Sequence, residues 1–255
     1  MQPFFSARLL WLFLLLIPLV FPALPVHADD FGSALARADE LENHDQLKPA
    51  LDILENLNRM HPDNPAVLVR LSNVYADMVD VAPEKEQKAF AKQALTYAQR
   101  AAARAPHDAK AHLALAVAYG KMADFVDNRT KMEYSKYVKS EAERAIQLDP
   151  RNDDAYEVLA RWNFEMATLN PILAGIAKIL YGELPPASKE QAFEYFNKAI
   201  AISPNNIGYH AEYAKALDRS GQTQAAKAEW RKVLQLRPLD DEDRRYQREA
   251  ASKLR

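Results

Sequence analysis

The chain has 255 residues, 49% of them apolar and 27% charged, enough for one large domain or two small ones with a real core. Its six scattered glycines leave no phosphate-cradling turn or dinucleotide fingerprint, and the lack of cysteine removes disulfides, thiolate metal sites, cysteine nucleophiles and cysteine-borne lipid anchors. A net charge of −2 gives no basic field for nucleic acid.

The first element is a leader. Between Met1 and Ala28 there is one base, Arg8, and no acid. Leu9 to Phe21 is a Leu-rich run broken only by Pro18, and Val26-His27-Ala28 places small residues where a signal peptidase inspects them. Charged start, short apolar middle and small-residue end predict a secretory signal over residues 1–28, cleaved after Ala28. The mature domain, residues 29–255, is then exported, and a cysteine-free exported chain suits a bacterial periplasm. The alternative is an N-terminal membrane anchor. The run from Leu9 to Phe21 makes a helix of roughly 20 Å, short of a ~30 Å hydrocarbon core, and extending it to Val26 encloses Pro18, Pro22 and Pro25. No second apolar run is long enough to span, so the mature chain is expected not to cross a membrane.

From residue 31 a unit repeats: an apolar-rich helical stretch, a proline, a short polar turn and the next helix. Pro62, Pro106, Pro150, Pro204 and Pro238 lie 44, 44, 54 and 34 residues apart, the last interval being the tetratricopeptide period and the others longer. Each proline lacks an amide hydrogen and biases the residue before it out of the helical region, so it ends one helix and opens the turn. Small residues recur in phase at the eighth position of each unit as Ala38, Ser72, Ala116, Ala160 and Ala214, where two helix backbones approach closely. Bulkier residues recur at the eleventh as Leu41, Val74-Tyr75, Tyr119 and Leu217, with Trp162-Asn163 the weakest case. In the last unit Ala226, Trp230 and Val233 complete the pattern on the second helix. The fold class predicted is all-α: a right-handed superhelix of about five tetratricopeptide-like hairpins, residues 31–238.

Extra residues fall near Asp80 to Gln87, near Ala123 to Met132, and over about residues 167–186. The first two lengthen helices and loops. The third carries its own helix, capped by Asn170 with Pro171 at its first position and Gly182 at its close; after Pro185-Pro186, Ser188 and Gln191 form a capping box for the next helix. Residues 239–255 read as a polar capping helix. Its stripe is Tyr246, Ala250 and Leu254, and its acids lead while Arg248, Lys253 and Arg255 trail, in accord with the helix dipole.

The stretch Ala160-Arg161-Trp162, then Ile176-Ala177-Lys178-Ile179-Leu180-Tyr181, Leu184-Pro185-Pro186-Ala187-Ser188 and Ala192-Phe193-Glu194-Tyr195-Phe196 resembles the regulator of microtubule dynamics family. So do the long middle repeats and the C-terminal Asp241-Glu242-Asp243 with Glu249-Ala250-Ala251. The resemblance covers about residues 40 to 255. It implies a tetratricopeptide-like interaction domain without known catalytic machinery. The eukaryotic members are associated with microtubules and organelle contacts; an export signal sets this chain where there are no microtubules, so the fold and a binding role are what the resemblance implies here.

No enzyme, metal or cofactor is expected. The five histidines after the leader, His44, His61, His107, His112 and His210, make no zincin spacing, and no Gly-x-Ser-x-Gly turn exposes a nucleophile. The expected function is a non-catalytic scaffold that binds a protein or peptide on its concave face, lined by the second, fifth, ninth and twelfth positions of each first helix. Asn73, Leu113, Val117, Arg161, Phe164 and Lys215 are the candidate partner-binding residues, with Arg161 and Lys215 supplying charge and Leu113, Val117 and Phe164 apolar area. A Lys-Asn carboxylate clamp at the fifth and ninth positions is not expected, because Val69 stands where the lysine would be. The alternative function is carriage of an apolar ligand such as a lipid. Ile172, Leu173, Ile176, Ile179 and Leu180 form one stripe of the inserted helix, opposite Lys178, and Ile172, Ile176, Ile179 and Leu180 would line a groove roofed by that helix. The same stripe could instead dock on its own repeat stack as a plug.

Overall fold

The computed structural model describes residues 31–181 and 187–255. The leader with its cleavage position after Ala28, Gly182, and Pro185-Pro186 lie outside the described residues. Among those described, twelve helices and no strand are present: α1 (Phe31–Asn43), α2 (Leu47–Met60), α3 (Pro65–Val81), α4 (Glu84–Arg104), α5 (Ala109–Ala123), α6 (Asn128–Leu148), α7 (Asp153–Ala167), α8 (Pro171–Tyr181), α9 (Lys189–Ile202), α10 (Ile207–Arg219), α11 (Thr223–Gln235) and α12 (Asp241–Lys253). They pair as hairpins α1/α2, α3/α4, α5/α6, α7/α9 and α10/α11, stacked in order into a helical superhelix; α8 is inserted between α7 and α9, and α12 follows the last hairpin.

The turns carry the local chemistry read from the sequence. His61, Ala105, Asp149 and Ser203 are the residues that close α2, α4, α6 and α9, and each has a non-helical backbone imposed by the proline after it. The next helix opens on a side-chain cap in most units: Asn64 accepts from Ala66 and Val67, Asp108 from Lys110, Asn152 from Ala155, and Asn206 from Tyr209. A second device recurs at the fourth residue of the first helix. His112, Tyr156 and His210 each reach back six residues to the carbonyl of the turn proline, at 3.0, 3.4 and 3.1 Å. A carbonyl only accepts, so each histidine donates through Nε2, and its Nδ1 faces a carboxylate of the second helix: Glu141 at 2.5 Å and Glu229 at 2.6 Å. A proton must lie between ring and carboxylate, which ties turn, first helix and second helix together.

The eighth-position residues are buried without exception. Ala116, Ala160 and Ala214 are fully enclosed, Ala38 and Ser72 nearly so, and the Ser72 hydroxyl donates to the Ala94 carbonyl of the facing helix at 3.1 Å. Trp230 and Val233 fill the space between α10 and α11, as expected.

The expansions have a structural use. α4 and α6 are each 21 residues long, against 14 for α9 and 13 for α11. The added turns of α6 supply Met132, Ser135 and Val138, which form the seat of α8: Met132 and Val138 pack with Trp162, Met166 and Ala177, and the Trp162 indole donates to the Ser135 carbonyl at 2.8 Å. This explains the weak eleventh position of the fourth unit. Trp162 turns toward the inserted helix, while Asn163 stays buried by donating to the Leu159 carbonyl.

Candidate functional site

The first helices of the hairpins stand side by side, and their shared inner face is the candidate site. α12 continues that face as if it were the first helix of a sixth unit. Counting from Asp241, its second, fifth and ninth residues are Glu242, Arg245 and Glu249, the positions that face inward in the hairpins. Arg245 reaches Asp45 in the α1–α2 turn, 200 residues away, at 3.0 Å, so the first and last elements of the stack meet.

The face is built of paired charges. Asp80 and Lys121 join α3 to α5 at 2.5 Å; Lys215 lies between Glu212 at 2.9 Å and Glu249 of α12 at 3.2 Å. The Tyr246 hydroxyl donates to Glu212 at 3.2 Å, and the Lys215 ammonium sits 4.8 Å from the Tyr246 ring centre. A crevice of about 290 Å³ lies between the end of α3, α10 and α12, lined by Asp80, Val81, Lys215, Arg245, Tyr246 and Glu249. It is below the ~300–1,000 Å³ of small-molecule sites and suits a side chain better than a ligand. A larger hollow, about 550 Å³, lies apart from this face on α1 and its turn, beside Arg37, Glu40 and His44.

At two places on the face carboxyl groups are raised above their ordinary values. Burial, then the neighbouring Asp77 carboxylate, pushes Glu42 well above the carboxylate range, and Asp77 is raised in turn by burial and the charge of Glu242. Burial pushes Glu157 up to about 7, against the pull of Arg161, whose guanidinium is 3.7 Å away. One Glu157 oxygen is buried with no hydrogen-bond partner. Arg161 is held charged by Glu157 first, with Glu212 and Asp80 adding from α10 and α3. Its side chain nonetheless keeps 62% of its surface accessible, so it stands in water while ringed by groups from several helices.

The candidate residues separate on these grounds. Asn73 and Arg161 are exposed on the inner face, while Leu113 and Val117 are half-buried. Lys215 is engaged by Glu212, Glu249 and Tyr246. Phe164 belongs to the core: it is 2% exposed, packed with Phe193 and Phe196 of α9 and covered by the Arg219 guanidinium at 4.7 Å. It offers no apolar contact area, contrary to expectation, because α9 returns after the insertion and closes over it. The proposed apolar groove also divides. Leu173, Ile176 and Leu180 pack inward on the α6–α7 seat with Ala177 at the centre, as a plug does, whereas Ile172 and Ile179 point outward at 70% and 79% exposure. Four residues on opposite faces cannot line one groove. Glu42 and Glu157 fall at the twelfth and fifth positions of their helices, where the repeat rule expects inward-facing residues; Asp77, Arg245 and Glu249 were missed, and for the last two the available signal was that α12 keeps the repeat phase beyond Pro238.

The family described as regulator of microtubule dynamics protein 1-3 matches residues 34–255. Regulator of microtubule dynamics protein 3 of Xenopus laevis is 27% identical over 173 residues, 67% of this chain and 37% of that protein, so the chain spans little more than a third of this relative. A thermophilic TPR protein of Thermus thermophilus superposes with a TM-score of 0.67 at 18% identity, covering 88% of this chain and 99% of that one. A tetratricopeptide repeat protein from Parabacteroides merdae ATCC 43184 gives 0.51 at 14% identity, over 90% and 78% of the two chains. Both structural likenesses are of fold. Among the described residues no helix is long and apolar enough to cross a membrane.

Proposed function

The chain belongs to the regulator of microtubule dynamics family, and we propose that it is a non-catalytic repeat scaffold of an exported compartment that binds a protein or peptide partner on its inner face. The observation that carries this reading is Arg161: a charged side chain still 62% accessible at the middle of a face whose other charges are mostly paired within the chain. Asn73 stands exposed on the same face and supplies both donors and an acceptor. A rigid stack holding such groups at fixed spacing is suited to an extended polar segment, with specificity resting on a few side chains. The periplasm is the proposed site of action, with a mature chain beginning at Asp29.

Affinity capture from the exported fraction of the native host tests this. The intact protein should return a recurrent partner; Arg161→Glu should lose it, while Asp52→Lys on exposed α2 should keep it. Retention of every partner by Arg161→Glu refutes the inner face as the binding surface. Lys215 is unsuitable for the test because its replacement would also loosen α12. N-terminal sequencing of the same material decides between a chain starting at Asp29 and a retained leader, and lipid in an extract of the pure protein would favour the carrier reading instead.

A further inference from the structure

The inserted helix α8 is apolar on two sides. One side is accounted for: Leu173, Ile176, Ala177 and Leu180 pack on Met132, Trp162 and Met166. The other carries Ile172 and Ile179, with Gly175 between them at the i, i+3, i+7 spacing of a single stripe, and the two isoleucines are 70% and 79% exposed. Isolated exposed apolar residues are ordinary on a protein surface, but two large aliphatic side chains aligned on one short helix are a patch.

The charges around this patch have one sign on the helix itself. α8 has no acid, and its only ionisable residue ahead of Tyr181 is the exposed Lys178, near its carboxyl end. At that same end the Lys136 ammonium of α6 donates to the Leu180 carbonyl, and Lys139, which pairs with Glu143, lies 5.7 Å from the Trp162 ring beneath the helix. A second copy of the chain is a poor occupant. Two isoleucines and a glycine offer at most a few hundred Å², far below the ~1,200 Å² that stable protein interfaces bury, and two such lysine-edged patches would repel. An anionic lipid surface fits both halves of the pattern, since it accepts apolar side chains a few ångströms deep and attracts lysines at headgroup level.

We propose that the outer face of α8 docks this protein on an anionic lipid surface, with Ile172 and Ile179 entering the acyl boundary and the exposed Lys178 lying among the phosphates. This surface is separate from the inner face, and the two can be occupied together.

The absence of native cysteine makes the test clean. Ile172→Cys and Ile179→Cys, each labelled with an environment-sensitive NBD fluorophore, are titrated with phosphatidylglycerol vesicles and with phosphatidylcholine vesicles. Asp52→Cys on α2, which does not touch α8, is the control. Emission should rise and shift to the blue at positions 172 and 179 on phosphatidylglycerol, with little response on phosphatidylcholine and none at position 52. Adding Lys178→Glu to the Ile172→Cys protein should weaken the apparent affinity by about fivefold or more. Circular dichroism melts confirm that each variant is folded. An unchanged emission at 172 and 179, an equal response to both lipids, or an equal response at position 52 overturns the proposal. So does a rise that depends on protein concentration without vesicles, which would assign the patch to a second copy.

Discussion

Replacing Glu157 by glutamine should stabilise this protein at neutral pH and leave it almost unchanged in mild acid. Burial holds the carboxyl near 7 in the folded chain, against an ordinary value of 4.5. Between those two values the folded state binds the proton that the unfolded state has released, so stability falls as the pH rises through this window and stays lowered above it. A gap of about 2.5 pH units corresponds to about 3 kcal/mol as an upper figure. The amide keeps the shape of the side chain and cannot ionise. The difference between variant and wild type should therefore be close to zero near pH 4 and grow to about 1–3 kcal/mol by about pH 8. For a domain of this size that is a rise in Tm of roughly 2–10 °C. Urea or thermal melts of both proteins across that range measure it, and subtracting the two curves removes other groups, such as Glu42 and Asp77, that titrate in the same direction. Parallel curves, or a stabilisation that grows toward acid, would refute the assignment of Glu157 as an unsatisfied buried carboxylate.

Three further outcomes follow from the packing. Ala160→Leu forces a larger side chain between backbones at a fully enclosed eighth position and should cost about 1–3 kcal/mol or more in a urea melt. His210→Ala leaves the Glu229 carboxylate and the Pro204 carbonyl without their shared partner, a loss of about 1–3 kcal/mol, and hydrogen exchange should quicken at the α9–α10 turn. On α8 the two faces should answer oppositely. Ile176→Asp sets a charge against Trp162 and Met166 and should lower stability by about 2 kcal/mol or more, while Ile179→Asp on the outer face should stay within about 0.5 kcal/mol of the wild type by the same melt.

The hairpins were legible because the rules that build them are local. A proline after Ala105 or Asp149 sets a backbone angle one residue away, and an alanine at position 116 or 214 meets its partner helix within the same unit. The burial of Phe164 was not legible, because it depends on where α9 resumes after an insertion of its own, and no spacing rule counts through that segment. The capping role of α12 was half legible. Tyr246, Ala250 and Leu254 do rest on the last hairpin, but the bond from Arg245 to Asp45 depends on curvature summed over five units, a quantity that no single unit contains.

The distribution of polar groups separates what holds this stack together from what it can use. Its core mixes alanines at close helix contacts with leucine, valine, methionine and aromatic side chains, and its turns close on local hydrogen bonds; neither requires a charge on the inner face. Yet that face carries Glu42 beside Asp77, both with raised carboxyl groups, Glu157 with an oxygen no hydrogen bond reaches, and Arg161, 62% accessible, beside it. The buried Glu157 carboxyl lowers stability at neutral pH, and a hydrophobic side chain of similar volume would pack the same space without that cost. A stack selected for stability alone would have no use for it. A stack that must recognise something polar has one, because the buried Glu157 carboxylate fixes the Arg161 guanidinium beside it, and that guanidinium stays 62% accessible to a partner's acceptor. The glutamine variant that is more stable at neutral pH should therefore also be the weaker binder, and a Glu157→Gln protein that gains stability while keeping full affinity for its partner would break the link between that face and recognition.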